Sequence, residues 1–177
     1  MIFLVRHGEA AAGWGDHPDP GLSDLGRAQA ESVSKTLRSL GAKHAICSPM
    51  QRCRETAAPF ARLINGPLKI EPSVSEIVTP EGVKDRVSWL RDLMSGQWPD
   101  EMAAWREEAL GAVDALPAGI AVFSHFVAIN AIVGKVTGNE DVLVFRPGHC
   151  SVTVLERDAN GQLTVSALGK SVETKVL

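Results

Sequence analysis

The sequence predicts an α/β fold built on a mostly parallel sheet, and three observations lead there. Short, continuously apolar runs stand at residues 2–5 (IFLV), 45–47 (AIC) and 120–123 (IAVF), the pattern of strands buried on both faces. Each run is followed by polar residues and then by an amphipathic stretch at helical spacing, so strands and helices alternate along the chain. No repeat, low-complexity tract or long linker interrupts the 177 residues, a length that suits one domain over 1–177.

The first helix is expected to start at Ser23, whose hydroxyl suits an N-cap, and to bury Gly26, Ala30, Val33, Leu37 and Leu40 before Gly41 stops it. A second opens with Ser48 as cap and Pro49 at the first helical position, buries Cys53, Ala57, Phe60 and Ile64, and ends at Asn65-Gly66. The third is expected from Thr79-Pro80, with Val83, Val87, Leu90 and Met94 on one face. The fourth follows Asp100, with Met102, Trp105, Ala109, Val113 and Leu116 as its packing stripe. Residues 152–155 and 163–167 flank Asn160-Gly161 and read as a hairpin. That hairpin is the expected uncovered sheet edge, should a dimer form; the oligomeric state itself is open.

Composition limits the chemistry. Eighteen Lys and Arg against twenty-one Asp and Glu give a formal charge of −3, which argues against broad nucleic-acid binding and against a polybasic membrane surface. An anion site would have to be local. Cys47, Cys53 and Cys150 are odd in number and form no CxxC pair, so neither a disulfide framework nor a zinc knuckle is expected. The apolar start meets Arg6 at once and is far shorter than the ~20 residues of a membrane span. The cytoplasm is the expected location.

Open α/β sheets place their ligand sites at the carboxyl ends of the strands. There the first run delivers Arg6-His7-Gly8-Glu9, the second Ser48-Pro49 and then Arg52, and the third Ser124-His125. Guanidinium forks match phosphoryl oxygens, and amides at the helix starts after Ser48 and His125 would add partial positive charge. The collection suits a phosphate. Arg54 and Arg62, farther along the second helix, read as surface residues, and His17, His44 and His149 belong to no such block.

RHGE at 6–9, LSDLGRAQA at 22–30, SPMQRCRETA at 48–57 and FSH at 123–125 together resemble the histidine phosphatase superfamily, also called phosphoglycerate mutase-like. The resemblance spans nearly the whole chain. It implies a three-layer α/β/α sandwich, His7 as nucleophile, and Arg6, Arg52 and His125 as holders of the phosphoryl oxygens, with Gly8 beside the substrate; Phe126 stands where the family often has glycine, its amide able to face phosphate and its ring placed either to pack under the helix or to narrow the pocket. Neither a metal nor another cofactor is implied. A neutral imidazole can attack phosphorus without a partner base and forms a phosphohistidine, and charge stabilisation supplies most of the remaining catalysis.

The leaving oxygen needs a proton. Residues 74–82 (VSEIVTPEG) resemble the family segment that carries the general acid, which aligns Glu76 with that role and keeps Glu81 as the alternative. The segment lacks the family's central glycine and aromatic residue, and Gly13 stands where many members have a phosphate-contacting asparagine. The start RHGEAA also resembles the shorter phosphohistidine-protein phosphatases, which typically lack the acid. Trp14 and Trp98, in loops, are placed to roof the site or to pack. The expected function is metal-independent hydrolysis of phosphomonoesters through phosphorylated His7. A phosphohistidine-protein phosphatase is the alternative; a phosphoglycerate mutase, disfavoured by the short length, and a non-catalytic phosphate-binding module stand behind it. The expected partner is a small phosphate ester or a phosphorylated protein, selected by residues at about 10–20 and by a cap-like segment at about 73–100.

Overall fold

The computed structural model describes residues 1–13 and 17–171. Six strands, β1 (Ile2–Arg6), β2 (His44–Cys47), β3 (Leu68–Ile70), β4 (Ile120–Ser124), β5 (Val152–Arg157) and β6 (Leu163–Ala167), form one sheet in the order β3-β2-β4-β1-β5-β6. The β3-β2-β4-β1 part is parallel, while β5 and β6 run antiparallel as the expected hairpin. Among the described residues five α-helices accompany it: α1 (Asp24–Ser39), α2 (Gln51–Ile64), α3 (Arg86–Met94), α4 (Ala103–Asp114) and α5 (Phe126–Thr137).

Alternation along β1 divides the core in two, because successive strand side chains point to opposite faces. Phe3 and Val5 join Val33 and Leu37 of α1 and Cys53, Ala57 and Phe60 of α2. Ile2 and Leu4 join Ala109 and Val113 of α4 and Ile129 and Ile132 of α5 on the other face. Covered on both sides, the central strands read as unbroken apolar runs rather than alternating ones. A third cluster seats Ile77, Leu90 and Trp98 on Phe126, Val127 and Ala131 of α5, fastening the segment before α4 to the body. No helix among the described residues is long and apolar enough to cross a membrane.

Several boundaries differ from expectation for local reasons. Leu40 is the C-cap of α1 and is 43% exposed, while Gly41 takes the left-handed φ of 84° that ends the helix. Helix α2 starts at Gln51 rather than Pro49. Ser48 accepts from the Met50 amide, and the first amide of α2 is capped from a distance by Asp19, whose Oδ1 accepts from Gln51 N–H at 2.9 Å. Helix α3 begins at Arg86, capped by Asp85, rather than at Thr79. Gly82 lies between them at φ 87°, a conformation no right-handed helix contains, and of the expected α3 stripe only Leu90 is fully buried. A 3-10 turn, Asp100–Met102, precedes α4. Buried among the α4 packing residues is Arg106, paired with Glu140 at 2.6 Å and 5.0 Å from the Trp98 ring.

Register brings the functional ends together. Arg6 of β1 pairs with Ser124 of β4, and Cys47 of β2 with Phe123, so Arg6-His7, Ser48 and His125 leave the sheet at one level.

Candidate active site at the sheet edge

His7 is buried at the end of β1 yet lines a cleft of about 430 Å3. Its Nδ1 lies 2.8 Å from the Gly8 carbonyl oxygen, and Arg52 donates from Nε to its Nε2 at 3.2 Å. A carbonyl oxygen only accepts and a guanidinium only donates, so Nδ1 carries the hydrogen and Nε2 keeps its lone pair. Burial, then His125, Arg52 and Arg6, push the His7 pKa well below the ordinary value of 6.5. The ring is therefore neutral at physiological pH.

Arg52 comes from the first turn of α2 and shares the cleft wall with His7; its Nη1 lies 3.9 Å from Asp19 Oδ1. Arg6 and His125 sit one layer deeper and do not line the cleft among the described residues. The Arg6 guanidinium donates from Nη1 to Pro147 O at 2.9 Å, lies 5.1 Å from the Phe126 ring centroid, and leaves its buried Nε without a partner among the described residues. Burial is the main cause lowering its pKa to about 10, so it stays cationic. The His125 ring meets His7 edge-on at 5.2 Å, with Nε2 2.8 Å from Ser48 Oγ and 3.3 Å from Cys53 Sγ. Burial, then Arg52 and Arg6, hold it neutral. Both residues thus act on His7 from behind, and direct contact with phosphate would require them to change partners.

Glu76 is buried on the cleft wall. Its Oε1 accepts the amides of Ile77 (3.1 Å) and Ala128 (3.2 Å), and its Oε2 that of Val127 (3.2 Å). The α5 amides expected to face phosphate are therefore already occupied by a carboxylate. Burial raises the Glu76 pKa; the amide bonds, Arg52 and Arg86 oppose that rise. Glu81 is exposed and lies off the cleft wall, so the geometry separates the two candidates.

Gly8 and Phe126 are packed into the fold and do not line the cleft among the described residues. The Gly8 amide donates to Thr56 Oγ1 at 3.0 Å, and a Cβ on Gly8 would stand 2.7 Å from the Gly26 carbonyl oxygen, so glycine lets β1 approach α1. Phe126 is 1% exposed and supports both the Arg6 guanidinium and the Ile77–Trp98 cluster. Trp98 packs in that cluster rather than roofing the cleft; Trp14 lies outside the described residues.

Two residues at the site belong to no sequence block. His149 lies with its ring 6.0 Å from that of His7 and its Nε2 3.0 Å from Arg6 Nη2. The signal for it is topological: β5 pairs antiparallel with β1, Val5 opposite Val152, so the residues just before β5 arrive at the carboxyl end of β1. Arg86, at the start of α3, lines the cleft with its guanidinium fixed by Thr79 Oγ1 and by the Ile77 carbonyl at 3.2 Å. Pro18, Pro20, Met50 and Ile77 add apolar wall.

The fold has relatives. Among solved structures, a phosphoserine phosphatase from Entamoeba histolytica in complex with 3-phosphoglyceric acid superposes with a TM-score of 0.78 over 97% of both chains at 18% identity. A mycobacterial glucosyl-3-phosphoglycerate phosphatase solved with VO3 gives 0.77 over 96% of this chain and 99% of that one at 14% identity. A Photorhabdus laumondii protein named probable phosphoglycerate mutase GpmB is 29% identical over 161 residues, covering 78% of this chain and 75% of its own. The family model for the histidine phosphatase superfamily (branch 1) matches residues 2–168, and the chain belongs to that superfamily.

Proposed function

We propose that this chain is a phosphatase that hydrolyses small phosphomonoesters through a phosphohistidine on His7. The observation that carries the reading is the fixed tautomer of a neutral, buried imidazole: Nδ1–H is held by the Gly8 carbonyl and the Nε2 lone pair lies against Arg52 at the cleft wall. When a phosphoryl group enters, the Arg52 donor passes from Nε2 to a phosphoryl oxygen, and Nε2 attacks phosphorus in line with the ester oxygen. The P–O bond breaks as the N–P bond forms. The positive charge gained by the ring is offset by the phosphoryl oxygens it now carries.

Glu76 gives its proton to the departing alkoxide. Oε2, with one amide donor against two at Oε1, has room for that proton, and burial favours the protonated form. In the second half the Glu76 carboxylate takes a proton from water, the resulting hydroxide attacks phosphorus, and the N–P bond breaks, restoring neutral His7 and protonated Glu76. A phosphohistidine protein would not need this acid, because imidazole already leaves well, so a buried carboxylate on the wall favours esters.

Arg86 narrows the substrate. With Arg52 on the cleft wall matched to the phosphoryl charge, Arg6 set behind His7 and Glu76 protonated, the Arg86 guanidinium is left to meet a second anionic group on the organic part. That the neighbouring phosphatases are named for phosphoserine and glucosyl-3-phosphoglycerate agrees with this preference. The test is a rapid-quench experiment with an aryl phosphate and a radiolabelled phosphoryl group. An acid-labile, base-stable phosphoenzyme is expected in the wild type and absent in His7→Ala, with phosphate release reduced at least ~10⁴-fold. Unreduced turnover by His7→Ala overturns the mechanism, and, with labelled 3-phosphoglycerate as substrate, movement of the label to its 2-hydroxyl in place of phosphate release would make the chain a mutase.

A further inference from the structure

The loop that precedes β5 closes around Arg6, main chain and side chain alike. The Arg6 amide donates to Ser151 O at 3.3 Å, and the Cys150 amide donates to Arg6 O at 3.0 Å. Pro147 O takes Nη1 at 2.9 Å, and His149 Nε2 lies 3.0 Å from Nη2. The loop is itself tied down, with the Gly148 amide donating to Lys170 O at 3.0 Å and Ser171 Oγ to Arg146 O at 3.1 Å. Cys150 holds the left-handed φ of 53°, which turns the chain between His149 and β5. That conformation is uncommon for a residue with a Cβ.

One contact in this clamp depends on a proton. A guanidinium has no lone pair to offer, so His149 Nε2 must be the acceptor and the ring must be neutral, with its hydrogen on Nδ1. We propose that His149 is a positioning residue for phosphoryl transfer: its unprotonated Nε2 fixes the Arg6 guanidinium beside His7, and protonating the ring releases it. The inference rests on His7 as the nucleophile.

The charged and titratable groups around the ring fit this use. Arg6, His7 and Glu9 face it from the end of β1, while Arg146 and Lys170 flank the loop with exposed side chains. Burial and then Arg6 lower the His149 pKa to about 4, with Glu9 opposing. The clamp is thus closed at neutral pH and opens in acid. Arg6 has no other side-chain hydrogen-bond partner among the described residues, so its aim rests on the Pro147 carbonyl, this ring and the face of Phe126.

The test compares His149→Ala and His149→Gln, since the Gln amide oxygen can reach the place of Nε2 and does not titrate. At pH 7, His149→Ala is expected to lose roughly 10- to 100-fold in kcat for aryl phosphate with KM changed less than threefold, and His149→Gln to recover most of that loss. Below pH 5 the wild-type kcat falls with one proton more than that of His149→Gln. In an Arg6→Lys background His149→Ala should cost less than twofold, because its route of action is already gone. Superposable acid limbs for wild type and His149→Gln, or a full additional loss in the Arg6→Lys background, overturns the proposal. A His7→Ala protein that still turns over marks failure of the nucleophile assignment instead.

Discussion

The two walls of the cleft are built by different means. His7 and Arg52 stand where parallel strands and the first turn of α2 end, and the β1-β4-β2 ladder fixes their relative height. Glu76 and Arg86 come from a stretch of irregular chain and a helix end, held by hydrogen bonds to α5 amides, Thr79 and the Ile77 carbonyl. A wall locked into the sheet cannot move without breaking the core, whereas the other can change its residues while its anchors remain. The proposed mechanism therefore assigns phosphoryl chemistry to the first wall, and proton delivery and selectivity to the second.

Exchanging the acid on the second wall is the strongest challenge to that division. Glu76→Gln keeps the shape and the acceptor oxygen that faces Ile77 and Ala128, puts an NH2 where Oε2 accepted the Val127 amide, and has no acidic proton to give; general acid catalysis is worth about 10²–10⁴-fold. The loss is expected in full on an alkyl phosphate and in small part on a phosphohistidine peptide. Because burial raises the Glu76 pKa and the proposed first step uses the protonated form, kcat/KM of the wild type should fall as pH rises through that pKa. The Gln variant should lack this limb. Equal losses on both substrates would remove the role from Glu76.

The first wall should betray itself in stability. His7 and His125 are buried with pKa values well below the ordinary 6.5, while in the unfolded chain they titrate normally. Below pH 6.5 the unfolded state binds protons that the folded state does not, so stability is complete above that value and declines as pH falls toward the depressed folded values. One unit lower the expected cost is about 1.4 kcal/mol for each ring. Urea unfolding at pH 7.5, 6.5 and 5.5 measures it, and because His149 is a third ring held low, at about 4, His125→Gln should remove about a third of the histidine part of the slope. An unchanged slope would mean that His125 is charged or hydrated in the fold.

The same contrast explains what could be read from the chain beforehand. Strands β1, β2 and β4 are continuous apolar runs because helices cover both faces, so the positions of Arg6, His7, Arg52 and His125 at one sheet edge were legible. Strand β3 was not: it has three residues, all at least partly exposed, and a single partner strand. His149 carries no local mark, since only the β1-β5 register brings it in. Nor does sequence reveal that Glu76 occupies the α5 amides, or that Gly8 has lent its amide to Thr56. Helical spacing from Thr79 hid Arg86, because Val83, which is not yet helical, extends the apolar spacing of Val87, Leu90 and Met94 back toward Thr79.

Arg86 is the finest probe of the second wall, because removing it should leave the reaction and change its preference. The matched pair is 3-phosphoglycerate and glycerol 3-phosphate, which share the phosphate ester and differ in a carboxylate. Arg86→Ala should raise KM for the first about tenfold, near 1.4 kcal/mol, and alter the second less than twofold, with Arg86→Lys intermediate. A guanidinium that served only to tune Glu76 would act on both substrates alike and would show in kcat, since it would shift the pKa of the acid. An equal change on both substrates would assign Arg86 to proton delivery and leave selectivity to the apolar wall of Pro18, Pro20, Met50 and Ile77.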